Sequence, residues 1–202
     1  MKYAKKIPPT DVELSKKLLS YGWRKIKEPS SLVQATLISM PFAFLGGAVI
    51  LLIVFWLSPA LFDVINSDFK FSFRIDIIGI FYILVILVYI LLHEFLHALL
   101  IPDVFKSDKT VWGLRGAFGF VFTTEKIKKG RFILITVMPF IVLSVIMPFV
   151  LFGFGLLNWY TVLVCLINAM GSCVDLLSLC LILIQVPNGS NIINNGFETY
   201  YK

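Results

Sequence analysis

Long apolar runs alternate with short polar segments along the whole chain. Four of these runs are long enough to cross about 30 Å of hydrocarbon as helices that rise about 1.5 Å per residue. They cover residues 34–56, 77–101, 132–156 and 159–186. The pattern therefore predicts an all-α, polytopic membrane protein with about four transmembrane helices. It also predicts that residues 1–202 form a single integral membrane domain.

The two longest polar segments carry weaker patterns. Residues 1–33 are basic, and the apolar residues among them fit either a short helix on the membrane surface or a solvated flank. Within the loop 102–131, residues 111–124 are rich in β-branched and aromatic residues punctuated by glycine. This predicts a small interfacial β-hairpin, whose edge could clamp an extended substrate. A plain interfacial loop is the alternative.

Composition and charge fit a membrane environment. Hydrophobic residues make up 58% of the sequence and charged residues only 15%, unlike ordinary soluble proteins. Eight Lys and Arg precede the first span, two separate spans one and two, seven separate spans two and three, and one follows the last span. The positive-inside rule then predicts cytoplasmic N- and C-termini. Because the basic residues flank the spans, we expect contact with the lipid bilayer and none with nucleic acid.

Both histidines of the chain lie in one HExxH motif, His93-Glu94-Phe95-Leu96-His97, near the end of the second span. On a helix, imidazoles four residues apart project from one face and can bind one Zn²⁺, with the glutamate beside them as a general base. The motif predicts His93 and His97 as metal ligands and Glu94 as the catalytic residue. The competing interpretation is a buried polar pair that only joins helices.

Asp175 is the only charged residue that the four spans contain outside this motif. Spans two and four run in the same direction, and His93 and Asp175 each lie sixteen residues past the start of their span. Both would therefore lie about 24 Å from the outer boundary, which makes Asp175 the expected third ligand. Asp103 is the rival, but it lies ten residues beyond His93 and follows the helix-breaking Pro102.

Two imidazoles and one carboxylate, with a fourth position open to water, form the usual plan of a catalytic zinc site. Zinc would make that water more acidic, and Glu94 would take its proton. Iron and cobalt also suit these donors, but we expect Zn²⁺. Asn168 and Ser172, on the same face of the fourth span as Asp175, are weaker candidates for contacts with the substrate or an oxyanion. Structural hydrogen bonds are the alternative for both.

The sequences around these residues resemble a known family, the Putative zincin peptidase family of bacterial membrane proteins. The resemblance is carried by the segments HEFLHALL, NAMGSCVDLL, Gly22-Trp23 to Pro29 and Val137-Met138-Pro139-Phe140. More distantly, the arrangement resembles the core of site-2 proteases, in which an HExxH helix and a later Asp-bearing helix share one zinc within the membrane.

The resemblance implies a location in the bacterial plasma membrane. By position it also implies that His93, His97 and Asp175 bind the metal and that Glu94 is catalytic.

Motif, depth and resemblance together predict an intramembrane zinc metalloprotease. It would hydrolyse a peptide bond of a membrane-embedded or juxtamembrane protein or peptide near the cytoplasmic face. The alternative is a non-hydrolytic zinc-binding membrane scaffold or pseudoprotease, for which Glu94 is dispensable. A transporter fits less well because no internal repeat is apparent in the sequence.

Overall fold

The structure is a computed structural model that describes residues 1–66, 77–115 and 118–202, most of them helical. The helices are α1 (Val12–Ser20), α2 (Leu32–Leu57), α3 (Ala60–Asn66), α4 (Ile77–Leu99), α5 (Lys129–Phe140), α6 (Met147–Gly153), α7 (Trp159–Gly171) and α8 (Cys173–Gln185). A π-helical segment, Ile141–Ile146, joins α5 to α6, so residues 129–153 form one continuous helical stretch.

Short strands in the described residues form two small sheets. The strands are β1 (Lys2–Tyr3), β2 (Arg24–Lys25), β3 (Thr110–Arg115), β4 (Phe118–Thr123), β5 (Ile127–Lys128), β6 (Asn191–Asn195) and β7 (Glu198–Tyr201). The first sheet has the order β1-β3-β4, with β1 parallel to β3 and β3 antiparallel to β4. The predicted hairpin is thus present as β3 and β4, while its turn, residues 116–117, lies outside the described residues.

Among the described residues, three helical stretches are long and apolar enough to cross a membrane: Leu32–Leu57, Gly79–Leu99 and Lys129–Gly153. Their outer faces carry large exposed apolar side chains, among them Trp56 at 75% and Val88 at 63% exposure, as expected of helices surrounded by an apolar medium. The fourth predicted span is different, because it consists of two helices, α7 and α8, that meet at an angle of 42°. The part of the chain that the structure describes therefore has four candidate spans only if this bent pair counts as one.

The bend between α7 and α8 has a local cause. Ser172 separates the two helices, and its hydroxyl donates to the carbonyl oxygen of Asn168 at 2.9 Å. Serine bonds to the carbonyl four residues earlier often bend helices, and the preceding Gly171 has low helix propensity. As a result, Asp175 lies in the first turn of a new helix instead of the middle of a straight one.

Helices α2 and α7 pack closely in the centre of the bundle. A Cβ added to Gly46 of α2 would lie 2.9 Å from the carbonyl oxygen of Ala169, so only glycine permits this approach. Ile50 and Val54 of α2 and Val162 of α7 are completely buried beside this contact. By contrast, α4 lies at the side of the bundle and packs mainly on α5, β4 and α7.

The second sheet was not predicted from the sequence. It has the order β2-β7-β6-β5, so the C-terminal hairpin β6–β7 joins the N-terminal segment to the strand that precedes α5. Gly196 opens the two-residue turn of this hairpin with φ of 62°. A glycine at the first turn position is a known hairpin signal, but the apolar spans dominate the pattern around it.

Glu198 of β7 holds a charged cluster together in this sheet. Its carboxylate accepts hydrogen bonds from Lys25 at 2.6 Å, from Tyr200 at 2.6 Å and from Ser15 at 2.7 Å. The bond from Lys25 contributes most to lowering the pKa of Glu198 to about 2, against a usual value of 4.5. Folding therefore favours the charged form of Glu198.

This pKa predicts a loss of stability in acid. Because the folded state binds the proton of Glu198 less readily, its contribution is complete above the ordinary pKa and disappears as the pH falls from about 4.5 toward 2. We expect the unfolding temperature of the detergent-solubilised protein to fall over this range, and to fall less in Glu198→Gln. Glu13→Gln, in an exposed pair with Lys16, is the control. Identical pH profiles for wild type and Glu198→Gln would refute the prediction.

Candidate metal centre

His93, His97 and Asp175 meet between α4 and α8. The two histidines lie one turn apart on α4, and their Nε2 atoms are 3.2 Å from each other. Oδ2 of Asp175 lies 3.4 Å from Nε2 of His93 and 3.6 Å from Nε2 of His97. The structure thus brings together the three side chains that the sequence predicts as metal ligands.

These distances fit a tetrahedral zinc ion. A zinc ion bound at about 2.0–2.1 Å by three donors at tetrahedral angles holds the donor atoms about 3.3 Å apart. The three observed separations, 3.2, 3.4 and 3.6 Å, lie close to that value. The donor types, two imidazole nitrogens and one carboxylate oxygen, are also those of catalytic zinc sites.

The outward hydrogen bonds of both rings select the tautomer that a metal needs. Nδ1 of His97 lies 2.7 Å from the carbonyl oxygen of Ile135, which can only accept, so this nitrogen carries the proton. Nδ1 of His93 lies 2.9 Å from Oδ1 of Asn168. The Asn168 amide donates through Nδ2 to the carbonyl of Pro139 and to Ser144 Oγ, so its oxygen faces His93.

When the rings are neutral, these tautomers leave lone pairs on the Nε2 atoms of His93 and His97, and both atoms lie within 3.6 Å of Oδ2 of Asp175. Three acceptors this close repel one another unless a metal ion or a proton lies between them. The side chains are only 14%, 13% and 26% exposed, so water screens the repulsion poorly. Hydrogen-bonded outer partners of this kind are typical of histidines that ligate metals. The residues present therefore fit a bound zinc ion.

The weaker candidates have other partners. The amide of Asn168 is used by His93, Pro139 and Ser144, and the hydroxyl of Ser172 donates to the carbonyl of Asn168. These contacts favour the structural roles that the sequence left open for Asn168 and Ser172. Asp103 is exposed and, among the described residues, does not belong to the metal-binding group.

Glu94 lies beneath strand β4. A Cβ added to Gly119 would overlap Cγ of Glu94 and lie 2.9 Å from its Cδ, and the backbone N–H of Val121 lies near the Glu94 carboxylate. Glu94 also lines a cleft of about 290 Å³ whose other walls are almost entirely apolar. Sequence reasoning missed Gly119 and Val121 as partners of Glu94, although the glycines within the predicted hairpin were a signal that backbone approaches something closely there.

The fold and the site define a class of protein. Apolar helices of membrane-spanning length hold an HExxH helix against an aspartate from a second helix, which is the donor set of a zinc-dependent hydrolase. The chain belongs to the family described as Putative zincin peptidase, which it matches over residues 85–191. This match covers more than half of the 202 residues and includes the HExxH motif and Asp175. Comparisons with curated proteins and with solved structures give no match.

Proposed function

We propose that this protein is an intramembrane zinc metalloprotease that hydrolyses a peptide bond of a membrane-embedded or juxtamembrane substrate near the cytoplasmic face. The observation that carries the proposal is the convergence of three lone-pair donors beside a glutamate that packs against strand β4. The family description supports the peptidase part. Apolar helices and the asymmetry of basic residues support a multi-pass location in the plasma membrane with both termini in the cytoplasm.

His93, His97 and Asp175 would hold the ion. When bound, zinc would acidify a water molecule and polarise the substrate carbonyl. Glu94 acts as the general base: its carboxylate accepts the proton of the water that attacks the carbonyl carbon, and returns a proton to the leaving amine as the C–N bond breaks. The close packing of Gly119 in β4 on the Glu94 side chain positions this carboxylate. The contact between β4 and Glu94 also shields one side of the carboxylate from water.

Strand β4 is in a position to bind an extended peptide. The carbonyl of Trp112 in β3 accepts from the N–H of Ala4, on the side of β1, so the backbone of Trp112 points away from β4. Its partner across the hairpin, Val121, therefore directs its N–H and C=O to the outer edge of β4, as does Gly119 two residues along. This is the edge beside Glu94, where an added strand would bring its peptide bonds to the site.

The cleft beside Glu94 indicates which substrate side chains fit. Its walls include Leu91, Phe95, Ala98, Trp112 and Leu114. A cavity of about 150 Å³ lined by aliphatic and aromatic residues is large enough for benzene, so about 290 Å³ accommodates a branched or aromatic side chain. We infer that an apolar residue of the substrate lies next to the scissile bond.

The proposal can be tested without a known substrate. Membrane proteins from cells that express the wild type and from cells that express Glu94→Gln are labelled at their N-termini and compared by mass spectrometry. The proposal predicts new N-termini, near the cytoplasmic ends of membrane spans, in the wild-type sample only. Equal sets of N-termini in the two samples would speak against proteolysis and favour the scaffold alternative.

Gly119→Ala tests the contact between β4 and Glu94. The added methyl group overlaps a side-chain carbon that is not at the flexible end of Glu94, so either the strand or the carboxylate must move. A misplacement of about 1 Å at a reacting group can lower a rate about a hundredfold, and we expect a loss of that order with zinc content unchanged. Gly130→Ala is the matched control, because a Cβ there meets no atom within 4 Å. Equal cleavage rates for wild type and Gly119→Ala would show that β4 does not position the base.

A further inference from the structure

Three polar side chains of α4 lie on one face at four-residue spacing: Tyr89, His93 and His97. Two of them bind main-chain carbonyls of the helical stretch 129–153. The hydroxyl of Tyr89 donates to the carbonyl oxygen of Leu143 at 2.6 Å, and Nδ1 of His97 donates to that of Ile135 at 2.7 Å. A carbonyl inside a helix normally accepts from the N–H four residues later. For these two carbonyls that N–H is absent, as at Pro139, or is used elsewhere, as at Met147.

Pro139 explains why the carbonyl of Ile135 lacks a helical donor. It lies four residues after Ile135 within α5, where the N–H of any other residue would donate to that carbonyl. Proline has no N–H, so the oxygen keeps its full accepting capacity. His97 supplies the missing donor from a neighbouring helix.

Pro148 explains, in a related way, why the carbonyl of Leu143 lacks a helical donor. At the end of the π-helical segment the N–H of Met147 donates to Val142, five residues earlier, and not to Leu143. In this register the donor for Leu143 would be the residue five positions later, which is Pro148. The carbonyl of Leu143 is therefore left for Tyr89.

We propose that Pro139 is a positioning residue for the metal site: by leaving the Ile135 carbonyl without a helical donor, it fixes the His97 ring with Nδ1 protonated and Nε2 presented to the metal. The inference rests on the proposed zinc site. Pro148 leaves the Leu143 carbonyl free for Tyr89, which lies two helical turns from His97. The Tyr89 hydroxyl contacts Leu143 and Cys165, not the donor atoms of the site.

Pro139→Ala is the direct test, with Pro148→Ala as the matched control. The alanine N–H competes with His97 for the Ile135 carbonyl and frees the ring to change tautomer. Loss of a hydrogen-bonded partner behind a metal ligand typically weakens metal affinity about 10–100-fold, and we expect at least about tenfold for Pro139→Ala. Pro148→Ala should leave the zinc affinity unchanged. Zinc affinity is measured in detergent by competition with a chromophoric chelator.

A backbone ester separates the missing donor from the proline ring. Lactic acid at position 139 has the methyl side chain of alanine but an ester oxygen in place of N–H. If the missing donor is what matters, this variant binds zinc as tightly as the wild type. If it binds as weakly as Pro139→Ala, the ring shape is responsible and the proposal fails.

Nitrogen NMR of the metal-free protein gives a second readout that does not depend on zinc. We expect the wild type to show His97 protonated at Nδ1, and Pro139→Ala to show a mixture of tautomers. Wild-type protein that takes up no zinc would refute the proposed function, while the tautomer comparison would still test the role of Pro139. An unchanged tautomer in Pro139→Ala, or equal losses of zinc affinity in Pro139→Ala and Pro148→Ala, would overturn the inference.

Discussion

Asp175→Ala is expected to abolish zinc binding by the purified protein. The carboxylate is the only contribution of α8 to the donor set, and without it two imidazoles from one helical turn must hold the ion alone. Catalytic zinc sites use three protein ligands. Elemental mass spectrometry of the detergent-purified protein should therefore find near one zinc per wild-type chain and almost none in Asp175→Ala.

Asp103→Ala is the matched control for this experiment. Asp103 was the rival third ligand in the sequence, and it is exposed in a turn with φ of 49°. Its removal should leave the zinc content at the wild-type level. Full zinc content in Asp175→Ala would disprove the assigned ligand set, and wild-type protein that stays metal-free after zinc is added would disprove the site itself.

Glu94→Gln is expected to reduce peptide hydrolysis by roughly 10²–10⁴-fold, the usual contribution of a general base. The amide has nearly the shape of the carboxylate and can occupy the same place against β4, but it cannot take a proton from water. His93, His97 and Asp175 are untouched, so zinc content should stay at the wild-type level. The measurement is the cleavage rate of a substrate peptide identified by N-terminal labelling, alongside the metal content.

Glu125→Gln provides the same chemical change away from the site. Glu125 accepts from Ser107 at 2.7 Å and pairs with Lys109, and neither contact involves the metal ligands. Its cleavage rate should equal that of the wild type. Hydrolysis by Glu94→Gln at the wild-type rate would leave the zinc-binding scaffold as the better interpretation of the protein.

The long helices could be predicted from the sequence because each of them coincides with a single apolar run. Residues 34–56 and 77–101 fall on α2 and α4 with differences of a few residues at the ends. The run 159–186 is equally apolar, so hydropathy could not reveal that α7 and α8 meet at an angle. That bend depends on the local bond of Ser172 to Asn168, which hydropathy does not register.

The three proposed ligands could be selected from the sequence because charges within apolar spans are costly and therefore few. The position of Glu94 against β4 could not be predicted from the sequence, because Gly119 and Glu94 come together only when the hairpin folds onto α4. The role of the Ile135 carbonyl as partner of His97 could not be predicted either. Every residue has a carbonyl, and only the tertiary structure shows which one a histidine contacts.

A hairpin and several helices separate His97 from Asp175 along the chain. During synthesis the two imidazoles therefore emerge long before the carboxylate, and the complete donor set exists only after α8 has folded back beside α4. Since chains fold progressively from the N-terminus as they are made, an ion that needs all three proposed ligands would be captured late in biogenesis. Under the proposed function, incomplete chains would remain without a competent active site, and this would protect the membrane in which they are assembled from premature proteolysis.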